Sequence, residues 1–81
     1  MITVRFFASI RERFDTAQLQ LPLVNDVDAA ISALGREYGA QWEEVLRAAN
    51  VIVAVNQRVA DGTAPLRDGD ELAFFPPVTG G

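Results

Sequence analysis

ITVRFFA, residues 2–8, alternates in character: Ile2, Val4, Phe6 and Ala8 fall on one face and Thr3, Arg5 and Phe7 on the other. That period of two is the pattern of a half-buried strand, and it leaves Phe7 as an aromatic ring on the polar face. Next along the chain, SIRERFD (9–15) makes a short helical turn that carries Ile10 and Phe14 inward at a spacing of four. Alternation resumes from Thr16 to Leu23 through Ala17, Leu19, Leu21 and Leu23. This second strand is expected antiparallel to the first, and Pro22 puts it at a sheet edge because proline has no N–H for a ladder. Asp26 is suited to cap a helix whose apolar positions Val27, Ala30, Ile31, Leu34 and Tyr38 share one face. Gly39 can stop that helix as a left-handed cap. Trp42, Val45, Leu46 and Ala49 repeat the spacing in a second, shorter helix, with Trp42 read as core.

The run VIVAV (51–55) is apolar throughout and β-branched except at Ala54, which predicts a well-buried strand. Asn56 and Gln57 turn the chain into a short strand around Arg58 and Val59. Asp61-Gly62 and Asp68-Gly69 mark further turns, and Glu71–Phe75 forms the last strand. There Leu72 and Phe74 share one face and Ala73 and Phe75 the other. Two strands, a helical middle and two or three further strands predict an α+β fold with a mixed sheet packed on helices, the β-grasp arrangement. A ferredoxin-like split βαβ order is the competitor. Residues 1–75 make the domain and 76–81 a protruding tail. If the first and last strands are neighbours, Phe7 and Phe75 both project from the face away from the helices, as an aromatic patch at the root of the tail.

The chain ends FFPPVTGG (74–81). Pro76 and Pro77 lack backbone donors and fix φ, so the strand cannot continue through them and the tail leaves abruptly. Six residues reach at most about 20 Å. The prolines stiffen the base, while Gly80 and Gly81 keep the end flexible and present a carboxylate with no side chain in the way. That carboxylate is the candidate reactive group. A frayed end is the alternative that the residues alone leave open.

Composition narrows the chemistry further. The chain has 81 residues, no Cys, no His and a net charge of −4, and all seven basic residues are arginine. There is thus no thiol nucleophile, iron–sulfur ligand set, imidazole base or side-chain amine. Asp68, Asp70 and Glu71 cluster, but around a turn signal, which favours a structural role over a metal site. The acidic balance and dispersed arginines argue against nucleic acid and against anionic membranes. No apolar run approaches the roughly 20 residues of a bilayer span, and Met1 leads straight into a strand without a signal-peptide pattern. A cytoplasmic location is the expectation.

VRFFASIRE near the start, VNQ (55–57) and PLRDGDELAFFPPVTGG (65–81) carry a resemblance over essentially the full length to the small subunits of molybdopterin synthase, a family of ubiquitin-like sulfur carriers. The FFPPVTGG ending is its specific part. A Gly-Gly end also fits thiamine-pathway sulfur carriers and ubiquitin-like protein modifiers. The resemblance implies a chain that is not an enzyme by itself. Its Gly81 would be adenylated by a ubiquitin-activating-enzyme-like adenylyltransferase that consumes ATP, then converted to a thiocarboxylate by a sulfurtransferase. The sulfur would pass to cyclic pyranopterin monophosphate inside a large subunit, in a heterotetramer serving molybdenum cofactor biosynthesis. It implies no permanently bound cofactor and no metal. Gly80 would allow passage, Val78 and Thr79 would line the channel, and Phe7, Val59, Phe75 and Arg11 would meet the partner.

Overall fold

A computed structural model describes residues 1–77. The elements run β1 (Ile2–Phe6), α1 (Ala8–Phe14), β2 (Gln18–Leu21), α2 (Val27–Tyr38), α3 (Ala40–Leu46), β3 (Ile52–Val55), β4 (Arg58–Ala60) and β5 (Glu71–Phe75). The sheet order is β2-β1-β5-β3-β4. β1 and β5 pair in parallel at the centre, and the other neighbours are antiparallel. First and last strands are therefore side by side, and β2 lies at an edge, with Pro22 directly after its last residue. The antiparallel β1–β2 pair and the central parallel pair make this the β-grasp arrangement and not a split βαβ.

Alternation in β1 and β5 decides which face is buried. Ile2, Val4 and Phe6 on β1 and Leu72 and Phe74 on β5 are essentially inaccessible, and they meet Val27, Ala30, Ile31 and Leu34 of α2 and Leu46 of α3. Asp26 caps α2 by accepting the Ala29 N–H at 2.8 Å. The loop after β4 docks on the same helix end, where the Val27 and Asp28 amides donate to the carbonyls of Ala64 and Gly62 at 3.1 and 2.9 Å. Trp42 packs as an aromatic hinge between helix and sheet. It stacks on Phe14 at 4.0 Å and meets Phe6 edge-on at 5.5 Å, the offset and T-shaped geometries favoured by ring quadrupoles.

Several local expectations need correction. Ala8 does not extend β1: it takes φ 52° and opens α1, because the Phe7 carbonyl already accepts the Ile10 and Arg11 amides. β2 covers only Gln18–Leu21, so Ala17 and Leu23 fall outside it and Leu23 is half exposed. Tyr38 is 45% exposed; it covers Trp42 as a stacked ring at 4.4 Å. Gly39 ends α2 at φ 121°, ψ 153°, an extended positive-φ conformation instead of the left-handed helical one. Its carbonyl then accepts the Trp42 N–H at 3.0 Å and starts α3, which stops at Leu46 before Ala49. Val51 precedes β3, and that strand is only half buried. Val53 and Val55 face the core, while Ile52 and Ala54 face away from it. VIVAV is apolar on both faces because its outer face builds the surface described next.

Candidate functional site

On the sheet face away from the helices, the Phe7 and Phe75 rings stack at 4.4 Å with 9° between their planes. The parallel β1–β5 register brings them together, and the Phe7 N–H extends that pairing to the Phe74 carbonyl at 3.2 Å. The Arg5 guanidinium lies 5.2 Å from the centre of the Phe7 ring, within cation–π range. It also approaches the Glu71 carboxylate at 3.6 Å. Val59, 81% exposed on β4, stands at the far side of the same face. Together these residues border a concavity of about 420 Å³. Phe7, Val59 and Phe75 are thus brought together, next to the residue where the tail begins.

Arg11 is not part of this group. It is exposed on α1, beside Asp15 and Thr16 near the start of β2, and does not line the concavity. Val78, Thr79, Gly80 and Gly81 lie outside the described residues. Pro76 and Pro77 are described, and they border a second hollow of about 560 Å³ between α1 and α3. The tail thus leaves from the boundary between the two faces of the domain.

The acidic cluster has a structural explanation. Asp70 accepts from the Asn56 side chain at 2.9 Å and from the Arg67 amide at 2.8 Å, and these bonds, the Asn56 one foremost, hold its carboxyl below the usual range. Asn56 in turn accepts the Glu71 N–H at 3.0 Å through its side chain and donates its own N–H to the Glu71 carbonyl at 2.8 Å. Asn56 and Gln57 sit at φ 50° and 69°, the left-handed pair of a two-residue hairpin turn. The β3–β4 turn therefore pins the start of β5, the strand that carries the tail. Asp68 pairs with the Met1 amine. Among the described residues no three His, Cys, Asp or Glu groups converge to hold a metal ion, and no helix is long and apolar enough to cross a membrane.

Sequence reasoning missed Arg47. Its guanidinium bonds Glu43 at 2.8 Å, Asp28 at 3.0 Å and Ser32 at 2.9 Å, tying α3 to α2, and the Glu43 bond and then the Asp28 bond raise its already high pKa. The Glu43/Arg47 spacing of four was the available signal.

A β-grasp domain with an apolar concavity on its open sheet face, next to the exit of a Gly-Gly tail, has the architecture of ubiquitin-like carrier proteins. Residues 4–81 match the ThiS family. The chain is 42% identical to the molybdopterin synthase sulfur carrier subunit of Escherichia coli K12, with 100% of each chain covered. It is 39% identical to the subunit of that name in Haemophilus influenzae, again over 100% of each. SAMP1 from Haloferax volcanii superposes with a TM-score of 0.82 at 28% identity, covering 99% of this chain and 98% of that one. A chain from the protein–protein complex of subunits 1 and 2 of molybdopterin-converting factor from Helicobacter pylori superposes at 0.69 with 27% identity, covering 99% and 97%. The chain belongs to the ThiS family of β-grasp proteins.

Proposed function

We propose that this chain is the sulfur carrier subunit of a molybdopterin synthase in molybdenum cofactor biosynthesis, with residues 1–75 as the handle and 76–81 as the delivery arm. The observation that carries the reading is the apolar face around stacked Phe7 and Phe75, set beside the root of a Gly-Gly tail. The identity to named sulfur carrier subunits supports it.

The chemistry follows from the terminus. A C-terminal carboxyl with an ordinary pKa near 3.3–3.7 is ionised at neutral pH. Its oxygen attacks the α-phosphate of ATP, pyrophosphate leaves, and a mixed anhydride with AMP forms at Gly81. Sulfur supplied by a sulfurtransferase at the sulfide level, or as a persulfide whose S–S bond a thiol then reduces, attacks the anhydride carbonyl, AMP leaves, and a thiocarboxylate remains. That sulfur bonds to a side-chain carbon of cyclic pyranopterin monophosphate in the large subunit, displacing the oxygen substituent there, and water then cleaves the resulting Gly81 thioester, which leaves the sulfur on the pterin and returns the carboxylate. General bases, metal ion and oxyanion donors come from the partners, in keeping with a chain that has no His, Cys or Lys. Phe7, Val59 and Phe75 dock the carrier, Val78 and Thr79 line the partner's channel, Gly80 lets the backbone pass, and Arg11 contributes a charge outside the main patch.

A second reading, a ubiquitin-like protein modifier, is favoured by the likeness to the small archaeal modifier protein 1 of Methanosarcina acetivorans, at 25% identity and TM-score 0.78. In that case the activated carboxyl acylates lysines of target proteins. Reconstitution with the large subunit separates the two. Deleting Gly81, or adding a residue after it, should abolish molybdopterin formation while the melting curve stays unchanged. Full activity of either variant would rule out the carrier reading, and stable isopeptide conjugates without pterin activity would support the modifier.

A further inference from the structure

The outer sheet face has a floor. Pairing places Arg5 beside Ala73, Ala73 beside Ala54 and Ala54 beside Val59, so one row across four strands runs large, small, small, large. The adjoining row toward the tail is tall: Phe7 stacks on Phe75, and Phe75 pairs with Ile52. On the opposite side stands Glu71, drawn toward Arg5. With Gln57 also lining the concavity beside Val59, the two methyl groups are ringed by longer side chains. Ala54 and Ala73 are only 5% and 4% exposed although no helix among the described residues covers this face. Same-face residues on one strand are roughly 7 Å apart and neighbouring strands about 4.8 Å apart. A floor of two alanines thus has the footprint of one large side chain.

We infer that the Ala54–Ala73 floor is a socket that receives a single bulky, uncharged side chain from the partner that takes the tail. This deepens the proposed function and rests on its assignment of the sheet face to that partner. The charge pattern sets the occupant's chemistry. Arg5 and Glu71 neutralise each other at the rim, so a charged residue entering would lose its water without gaining a free counter-charge. An aromatic or long aliphatic side chain is accepted by the methyl floor and the Phe75, Ile52 and Val59 walls, the setting in which interface anchors concentrate binding energy. The socket adjoins Phe75, the last residue before Pro76, so an anchored partner side chain fixes the origin of the tail as well as the affinity.

Filling the socket distinguishes it from a flat adhesive face. Ala73→Leu and Ala54→Val add apolar surface at outward positions. On a flat patch they would preserve or tighten binding; in a socket they occupy the site. The full chain and the large subunit encoded in the same genome are mixed in a calorimeter, with melting curves to confirm folding and Ala54→Val as the smaller change should Ala73→Leu fail to fold. The expected result is a loss of roughly tenfold or more in affinity for the folded fillers, the scale of an overpacked site. Undiminished or tighter binding, with Phe75→Asp still weakening it, would overturn the socket while sparing the docking face. Binding that ignores Phe75→Asp as well would refute the docking face itself. A filler that alters only self-association in sedimentation would assign the floor to a second copy of this chain and overturn the proposal.

Discussion

Gly35→Ala pits helix propensity against packing, and the structure decides the sign. Gly35 lies within α2, where alanine is better than glycine by about 1 kcal/mol. A Cβ built there, however, would fall 2.6 Å from Glu43 Oε1 and 2.8 Å from Glu43 Cβ. The carboxylate oxygen can rotate away, though only by giving up its place beside Arg47. The Cβ is fixed to the α3 backbone and cannot move without it. α3 is anchored by buried Leu46 and by Trp42 stacked on Phe14, so separating the helices strains the aromatic cluster behind β1. Overpacking of this kind costs about 1–3 kcal/mol. It offsets the propensity gain and leaves a net loss of up to about 2 kcal/mol, or up to roughly 15 °C in Tm for a domain of this size. Thermal unfolding by circular dichroism reads it directly. In a Glu43→Gly background, which removes the opposing Cβ, the same Gly35→Ala change should become neutral or stabilising. A rise in Tm for Gly35→Ala alone would show that the α2–α3 contact is looser than described, and the reasoning would fail.

Gly39→Ala has nothing within 4 Å to strike, yet φ 121° with ψ 153° is open essentially to glycine alone; a loss of about 1–3 kcal/mol in chemical denaturation is expected, and an unchanged midpoint would contradict it. Phe6→Ala removes a ring 1% exposed that meets Phe14, Trp42 and Phe74, and should cost about 3–5 kcal/mol in the same assay. Asp70, with its carboxyl pKa held down by Asn56 and Arg67, favours the folded state above the ordinary carboxylate pKa of about 3.9 and loses that contribution as pH falls through its lower folded value. Asp70→Asn should therefore flatten the acid limb of stability against pH below about 4, and an acid limb as steep as before would count against the Asn56 bond.

The fold was legible wherever one face of an element is apolar and the other polar. Ile2, Val4 and Phe6 against Thr3 and Arg5, and the stripe from Val27 to Leu34, each report a single buried side. The misreadings cluster where local geometry overrides pattern. Ala8 continues the alternation of β1, but backbone bonds to the Phe7 carbonyl start a helix there. Tyr38 continues the stripe of α2 past the sheet, so its ring finds Trp42 and solvent. VIVAV reads as a buried strand because periodicity cannot distinguish a covered outer face from an apolar one kept open. The pairing of Phe7 with Phe75 was legible once β1 and β5 were taken as neighbours. The alanine floor between Arg5 and Val59 was not, since it depends on the register of four strands at once. Arg11, chosen by resemblance, lies apart from the sheet face on α1, where the reading of residues 9–15 as a helical turn with Ile10 and Phe14 inward already places it.

On the proposed function, Gly81 carries the reacting atom and other proteins install the sulfur there. Intact-mass spectrometry of the chain purified from cells with and without the adenylyltransferase tests it most directly. A fraction heavier by one sulfur-for-oxygen exchange, mapped to Gly81 and absent from cells without that enzyme, is the predicted result. A mass equal to that of the unmodified chain in both preparations, from cells actively making molybdenum cofactor, would contradict it.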